Sequence, residues 1–224
     1  MNEGSKLMAV DVDDVLVHIA TPWVRRALRN PKIGIPLAGR LAVDDPDLEA
    51  KVLARPQPHI QQWLIETHGL SPGMQGELDL IYRSDPAFYD DLEPTALCRG
   101  LMAAQNLPGR IAHIHAITHN YSNSDPSVAS KERWLRRYLG GPDKLTIHNV
   151  EAGMKKSDIL SRYCPEPHSF ADDSMKNVVD ILLNDKVRPH EILIPRMGHN
   201  AAPPEAEQLA YLRKIKLSYY ENAL

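Results

Sequence analysis

The fold is decided by the stretch Leu7-Met8-Ala9-Val10-Asp11-Val12-Asp13-Asp14, an apolar run that ends on three carboxylates. The apolar half is typical of a buried parallel strand. Because an unpaired carboxylate is very costly in an apolar interior, the acids must lie where the strand emerges, at its carboxyl end. Side chains alternate along a strand, so Asp11 and Asp13 point the same way. Two carboxylates aimed at one point either bind a cation or share a proton, and these residues alone leave both options open.

Length and composition narrow the class of protein. The 224 residues suffice for one sizeable domain or a core with a small insertion, and 43% hydrophobic with 25% charged residues is ordinary for a globular protein. No apolar run reaches membrane-spanning length, and the first six residues lack the pattern of a signal peptide. The net charge of −3 argues against bulk nucleic-acid binding. Cys98 and Cys164 are far apart and lack metal-site spacing, which predicts a reduced, cytoplasmic setting without membrane association.

Charge is unevenly distributed along the chain. Between Val15 and Val43 there is no Asp or Glu, whereas this segment carries five basic residues: Arg25, Arg26, Arg29, Lys32 and Arg40. A cationic segment directly after an acidic strand suits an anionic substrate, because it focuses positive potential on the site. A solvated basic helix face explains the same pattern equally well.

Residues 18–91 are predicted to be mainly helical, because no alternating strand pattern occurs there. Thr21-Pro22 is typical of a helix start, with Thr as the cap and Pro at the first helical position. The predicted helices cover 23–29, 46–53, 58–67 and 77–83, with a loop rich in Pro and Gly over 32–40 and a turn at 71–73.

The rest of the chain alternates strands with helices, which predicts an α/β fold with a parallel sheet and right-handed crossovers. A helix ends at Gln105 and a turn is expected at Pro108-Gly109. Later strands are predicted over 110–118, 144–150, 168–171 and 191–195, and helices over 127–139, 157–163, 173–183 and 205–214. His113 and His115 share one face of the second strand; core or interface histidines are common there, so no role is assigned to them.

The pattern Asp-x-Asp-x-Val-Leu after a short apolar strand resembles motif I of the haloacid dehalogenase (HAD) superfamily of phosphohydrolases. The resemblance implies a Rossmann-like α/β core formed by 1–17 and 92–224, with 18–91 as a helical cap inserted after the first strand. It also implies that Asp11 attacks phosphorus to form an aspartyl-phosphate and that Asp13 is the acid/base. An acidic strand end also occurs in a calcium-like or solvated turn, so the remaining motifs decide.

Motifs II and III of that family have counterparts in the expected order. Thr118 ends the second strand, where the family places a hydroxyl that holds the transferring phosphoryl group. The backbone N–H groups of His119 and Asn120 are expected to add donors for the substrate. Motif III is a Lys that neutralises charge on the phosphoryl group. Lys155 and Lys156 both fit; the spacing to the following Leu favours Lys156 as the catalytic lysine, with Lys155 beside the substrate.

Motif IV corresponds to Ser169-Phe170-Ala171-Asp172-Asp173, a second short strand that ends on adjacent carboxylates. With Asp11 and the backbone carbonyl of Asp13, these acids would hold Mg²⁺, which prefers oxygen ligands. By analogy with the family's Gly-Asp variants, Asp173 is expected to contact the metal and Asp172 to lie behind it. Asn177 falls where the family often has a later acid. One departure is Asp14, where most members have Gly, so the turn after the first strand is expected to differ.

Within the superfamily, the chain is most similar to the 5′(3′)-deoxyribonucleotidase group. That group shares the opening motif, a helical cap directly after it, and sequences echoed here by Phe88-Tyr89, Leu92-Glu93-Pro94 and Lys131-Glu132-Arg133-Trp134. The similarity implies a Mg²⁺-dependent phosphomonoesterase acting on a small phosphorylated substrate, with nucleoside monophosphates as the first choice. Trp134 is equally well explained as a core aromatic.

A nucleotide base would have to be held by the cap, since the core motifs contact only phosphate and metal. Trp23, His59 and Trp63 are the cap groups able to stack on or hydrogen-bond a base, and Arg25 and Arg26 would attract the anion. The three ring residues are explained equally well as core residues of the insertion. Alternative substrates are a sugar phosphate, another small phosphate ester or a terminal phosphate on a nucleic acid. A catalytically silent HAD fold that binds a phosphorylated ligand or a partner is the alternative to an enzyme.

Overall fold

The apolar run Leu7–Val10 forms strand β1 in the interior of a six-stranded parallel sheet. The computed structural model describes residues 6–107, 110–120, 122–151, 153–200 and 204–221. The other strands are β2 (His113–His119), β3 (Leu145–Val150), β4 (Ser169–Ala171), β5 (Glu191–Pro195) and β6 (Lys216–Tyr220). Their order in the sheet is β3-β2-β1-β4-β5-β6. The predicted α/β fold class with a Rossmann-like parallel sheet is confirmed.

Helices flank the sheet and connect its strands. They are α1 (Ala20–Arg29), α2 (Pro31–Leu37), α3 (Leu48–Leu53), α4 (Ile60–Glu66), α5 (Gln75–Arg83), α6 (Ala96–Gln105), α7 (Pro126–Leu139), α8 (Lys156–Tyr163), α9 (Met175–Leu183) and α10 (Pro204–Arg213), with a 3₁₀ turn at Pro72–Met74. Each helix in the described part of the chain falls short of the length or apolarity that crossing a membrane requires.

The neighbours of β1 explain where polar residues meet. Val10 pairs with Ala116 of β2 on one side and with Ala171 of β4 on the other. Because all three strands run parallel, their carboxyl ends lie at one edge of the sheet. The crossovers leave in opposite directions from β1, and such a switch point is where open α/β sheets form clefts.

The segment 18–91 carries α1 to α5 and contains no strand. One buried apolar cluster includes Met8 and Val10 of β1 together with Trp63 and Leu64 of α4. The insertion therefore packs in the same hydrophobic core as the sheet and is not a separate unit joined only by a linker. The division into a core of 1–17 and 92–224 and a cap of 18–91 stays a prediction.

Two local predictions for the insertion are wrong. Helix α1 begins at Ala20, so Thr21 is inside the first turn, and its hydroxyl lies 2.9 Å from the His18 ring instead of capping the helix. The segment 32–40, predicted as a loop, is largely helical: Asn30 accepts a hydrogen bond from the backbone N–H of Lys32 (3.1 Å) and starts α2. Pro36 lies in the last turn of this seven-residue helix, where few hydrogen bonds remain to be lost.

The sheet also has a strand that the sequence analysis missed. β6 pairs in parallel with β5 along its whole length, from Glu191 opposite Lys216 to Pro195 opposite Tyr220. It is an edge strand without a fully buried residue, so it lacks the apolar run that marks the interior strands. The second strand begins at His113 and not at 110, and the turn predicted at Pro108-Gly109 lies outside the described residues.

Candidate active site

The carboxyl ends of β1, β2 and β4 bring four predicted site residues together. Asp11 directly follows β1, Thr118 ends the buried part of β2, and Asp172 follows β4. Lys156, the first residue of α8, contacts Asp11 and Asp172 at the same place. These groups are far apart in sequence and meet because the strands are adjacent and parallel.

Lys156 connects the predicted nucleophile to motif IV. Its Nζ lies 2.7 Å from Oδ1 of Asp11 and 2.9 Å from Oδ2 of Asp172, and its side chain is 2% exposed. Burial would lower the pKa of this lysine, but the two carboxylates raise it above its ordinary value, so the ammonium stays charged. Lys155 also lines the cavity, but its Nζ lies 2.6 Å from Asp180 and its side chain is 66% exposed. Of the two predicted lysines, Lys156 is the one that contacts Asp11.

The two acids of motif IV differ in their surroundings. Asp172 is fully buried, and its oxygens accept hydrogen bonds from Lys156, from the backbone N–H of Ser174 (2.9 Å) and from the amide of Asn177 (3.1 and 3.2 Å). Asp173 lines the cavity, and Nε2 of His199 lies 3.7 Å from its Oδ2. Asp172 is therefore occupied with structural contacts, whereas Asp173 faces the open space.

The carboxylates form a site of concentrated negative charge. One oxygen each from Asp11, Asp172 and Asp173 lies within 4.8 Å of the others. Burial, followed by the charges of Asp11 and Asp172, raises the pKa of Asp173 well above its ordinary value. Burial likewise raises the pKa of Asp11, and the charge of Lys156 opposes that shift. A divalent cation with oxygen ligands would relieve this repulsion, so the residues fit Mg²⁺.

Asp13 is held by two residues to which the sequence analysis gave no role. The ammonium of Lys131 donates to Oδ2 of Asp13 (2.8 Å) and to the hydroxyl of Thr118 (2.9 Å). The phenol of Tyr89 donates to the other oxygen of Asp13 (2.8 Å). Burial raises the pKa of Asp13, and the charge of Lys131 opposes that shift. Lys131 is 3% exposed on α7, and its burial beside an acid results from packing that the sequence alone does not reveal.

The turn after β1 departs from the expected pattern at Asp14. This residue has φ +57°, in the left-handed region, and its carboxylate is buried. Its oxygens lie 3.2 Å from Nδ1 of His18 and 3.2 Å from a guanidinium nitrogen of Arg55. Burial would raise the pKa of Asp14, but the hydrogen bond and charge of His18 and the charge of Arg55 leave it below its ordinary value. Neither His18 nor Arg55 was predicted as a site residue.

A cavity of about 960 Å³ opens between these strand ends and the insertion. His119 and Asn120 line it, as do Trp23 and His59 from the insertion. Its wall in the insertion also includes Ile19, Pro58, Ile60, Gln61 and Tyr82.

Three residues expected near the substrate lie elsewhere. Trp63 is buried with its ring 4.5 Å from that of His68 and does not line the cavity. The Arg26 guanidinium pairs with Asp85 and lies 4.6 Å from the centre of the Phe88 ring, and Arg25 is exposed. Trp134, which belongs to the segment that resembles the nucleotidase group, is a buried core residue, and its indole N–H donates to the carbonyl of Leu92 (2.7 Å).

No family model matches the chain, and no curated protein matches it. Among solved structures, a candidate phosphatase from Clostridium difficile has a TM-score of 0.55 at 8% identity, over 97% of this chain and 94% of that one. A candidate haloacid dehalogenase-like hydrolase from Bacteroides fragilis has a TM-score of 0.52 at 11% identity, over 98% of each chain. This chain has the HAD-hydrolase fold. A HAD family hydrolase from Deinococcus radiodurans R1, with bound phosphate and sodium, has a TM-score of 0.50 at 13% identity, over 96% of this chain and 91% of that one.

The HAD fold accounts for the architecture around the cavity. At these identities the likeness concerns the fold alone, so the roles of individual residues depend on the contacts described above. Asp11, Lys156 and Asp173 line one cavity, and Arg25 is not part of its lining. Thr118 is fully buried and is connected to Asp13 through Lys131.

Proposed function

We propose that the protein is a Mg²⁺-dependent phosphomonoesterase that works through an aspartyl-phosphate on Asp11. The observation that carries the proposal is the position of Asp11. Its carboxylate contacts the buried ammonium of Lys156 and lines a cavity shared with Asp13 and Asp173. A carboxylate held beside a fixed positive charge is suited to attack an electrophile whose transition state carries negative charge.

The chemistry can be assigned to groups of the chain. An oxygen of Asp11 would form a bond to phosphorus while the ester P–O bond breaks, and Asp13 would give a proton to the leaving oxygen. Asp13 would then take a proton from the water that attacks the aspartyl-phosphate, which releases inorganic phosphate and restores Asp11. Lys156 and the hydroxyl of Thr118 would stabilise charge on the transferring group.

Mg²⁺ would be held by Asp11, Asp173 and the backbone carbonyl of Asp13, and when bound it screens the nucleophile from the anionic phosphate. Asp172 would orient this arrangement from behind, because its oxygens are engaged by Lys156 and Asn177.

Nucleoside monophosphates are the proposed substrates, as in the 5′(3′)-deoxyribonucleotidase group. The volume of the cavity is in the range that encloses a ligand of this size. Trp23, Tyr82 and His59 line it and offer rings and a hydrogen-bonding group for a base. Arg25 and Arg26 lie outside the cavity, so they would act on the substrate only through long-range attraction.

A phosphatase screen with and without Mg²⁺, over nucleoside monophosphates, sugar phosphates and a 5′-phosphorylated oligonucleotide, tests this proposal. Asp11→Asn should abolish turnover because an amide cannot attack phosphorus, while the fold is retained. Asp185→Asn, an exposed carboxylate away from the cavity, is the matched control. Turnover that survives Asp11→Asn unchanged would falsify the mechanism. A clear preference for sugar phosphates or for the oligonucleotide would mean that nucleoside monophosphates are not the substrate class. Phosphate binding without turnover of any ester would indicate a catalytically silent HAD fold.

We place the protein in the reducing cytoplasm as part of the same proposal. Cys98 and Cys164 are both buried and free. Burial raises the pKa of the Cys98 thiol to about 12 and that of Cys164 to about 11, so both stay protonated and unreactive. Fractionation of cells that express the full chain, followed by immunodetection, checks this location; recovery in a secreted fraction would contradict it.

A further inference from the structure

Asp14 links the catalytic turn to the insertion. Besides His18 and Arg55, its Oδ1 accepts the backbone N–H groups of Ile19 (3.0 Å) and Ala20 (3.1 Å), which start α1. Glycine would adopt the left-handed backbone of this turn without a steric penalty. The turn therefore does not need a carboxylate for its own conformation, and the side chain must be explained by what it contacts.

Arg55 carries this contact into the insertion. It lies two residues beyond α3 with 2% of its surface exposed. One guanidinium nitrogen donates to the carbonyl of Val52 (2.9 Å) and another to Oδ2 of Asp14 (3.2 Å). The end of α3 is thus fixed to the residue that follows the predicted acid/base Asp13.

The same segment also contacts the loop after β5. The backbone N–H of Gly198 donates to the carbonyl of Leu53 (2.9 Å). A Cβ on Gly198 would lie 2.3 Å from the carbonyl oxygen of Ala54, so only glycine permits this approach. The segment 53–55 is therefore held between two loops of the sheet edge.

Asp14 and Arg55 themselves line the cavity, and the chain continues from Arg55 along the cavity wall. Pro58, His59, Ile60 and Gln61 all line the cavity that Asp11 and Asp13 also line. Their distance from Asp11 and Asp13 depends on where the end of α3 is fixed, because only two residues separate Arg55 from Pro58.

We propose that Asp14 is a positioning residue that, through Arg55, holds the wall segment 58–61 over the catalytic carboxylates and so contributes to the choice of the substrate's non-phosphoryl part. Asp14 does not belong to the carboxylate group of Asp11, Asp172 and Asp173, and both its oxygens are already hydrogen-bonded. Its effect is therefore on the wall and not on the metal. The part that concerns substrate choice depends on the proposed function, whereas the part that concerns the wall does not.

Two variants test the proposal in the full chain. Asp14→Gly keeps the left-handed turn and removes the carboxylate, and Arg55→Met keeps the aliphatic stem and removes the charge. Asp45→Asn is the matched control, because Asp45 pairs with Lys51 within the insertion (2.6 Å) and has no part in the link. Hydrogen exchange measured by mass spectrometry should show faster exchange over 52–61 in both variants, by about tenfold as expected for loss of a buried charged hydrogen bond. Peptides from β1 and β4 and the Asp45→Asn protein should exchange as in the wild type.

Steady-state kinetics then distinguish an effect on the position of the wall segment 58–61 from an effect on the catalytic step. With thymidine 5′-monophosphate, both variants should raise KM by about tenfold with little change in kcat, while acetyl phosphate, too small to reach the wall, should be turned over within about threefold of the wild type. Wild-type protection of 52–61 in Asp14→Gly and Arg55→Met overturns the proposal, whatever the activity. An equal loss with both substrates overturns the role in substrate choice. Faster exchange in a protein that hydrolyses no phosphate ester supports the positioning role and rejects the proposed function alone.

Discussion

The ammonium of Lys156 lies between two buried carboxylates, 2.7 Å from Asp11 and 2.9 Å from Asp172. Asp172 is itself fixed by Ser174 and Asn177, so Lys156 holds Asp11, the proposed nucleophile, in a fixed position relative to Asp172. Removing one member of a buried group of opposite charges leaves an uncompensated charge, which is costly. Substitution of Lys156 or of either carboxylate should therefore be destabilising.

Lys156→Met should lower kcat by about 10²–10³-fold, the range found when one preorganised electrostatic group is removed. It should also lower the free energy of unfolding, because Asp11 and Asp172 then face each other without a cation. Lys155→Met should leave kcat within about threefold, since that ammonium is exposed and pairs with Asp180. Steady-state kinetics and urea unfolding of both variants check this. Equal losses at the two positions would contradict the assignment.

The candidate site was predictable where its signal is local in sequence. A short apolar run followed by Asp11 and Asp13 predicts a strand whose carboxyl end carries functional carboxylates, and the same reasoning identifies Asp172. Lys131 and Arg55 could not be placed in this way. Each reaches the site from a helix or loop tens of residues away, and only packing determines which of the chain's many basic residues becomes buried beside an acid.

For the fold as well, features with a local sequence signal were predictable and those set by tertiary packing were not. The interior strands were predictable from apolar runs, whereas β6 gives no such signal because this edge strand has no fully buried residue. In α2, Gly34 and Pro36 indicate a loop by propensity, yet the tertiary contacts of Ile33 and Leu37, both fully buried, override that preference.

The anchors of Asp13 give a second prediction. Lys131→Met should lower kcat by about 10–10²-fold, within the usual contribution of an acid/base group, because the carboxylate loses the cation that orients it. Tyr89→Phe, which removes one hydrogen bond, should cost less. Rapid-quench measurement should show the phosphoryl-enzyme accumulating in Lys131→Met, since Asp13 is proposed to activate the attacking water. A variant with wild-type kcat and no accumulation would contradict this role.

Metal binding should be linked to protons at Asp173. Burial and the charges of Asp11 and Asp172 raise the pKa of Asp173 well above its ordinary value, so without metal this carboxyl keeps its proton to a higher pH than an ordinary Asp does. A cation that binds this carboxylate must displace that proton, and the affinity for Mg²⁺ should fall as the pH drops through the raised pKa. Isothermal titration in buffers of different ionisation enthalpy measures the released proton.

Asp173→Asn provides the comparison for that titration. It should weaken Mg²⁺ binding by about tenfold or more, the range for losing a site partner, and remove most of the proton release. Asp180→Asn, which changes a carboxylate paired with Lys155, should do neither. If Mg²⁺ binds Asp173→Asn as tightly as the wild type, the ligand assignment is wrong.

The last prediction concerns stability at acidic pH and the pair of histidines on β2 and β3. Nδ1 of His115 lies 3.0 Å from Nε2 of His148, and the two rings are nearly parallel, at 10°. Burial, followed by the charges of His148 and His113, lowers the pKa of His115 from 6.5 to about 4. As the pH falls below 6.5, the unfolded chain binds a proton at this position and the folded protein does not. Stability should therefore be lost between about pH 6.5 and pH 4.

His115→Asn removes this titrating group while keeping a polar side chain at the position. Urea unfolding at pH 7 and pH 5 should show that the wild type loses more free energy of unfolding over this interval than His115→Asn does. The depressed pKa of His148 leaves a residual pH dependence in the variant, because burial disfavours its charged form as well. Equal losses in the two proteins would mean that His115 is protonated as readily in the folded state as in the unfolded one, and that the contact with His148 does not exclude the proton.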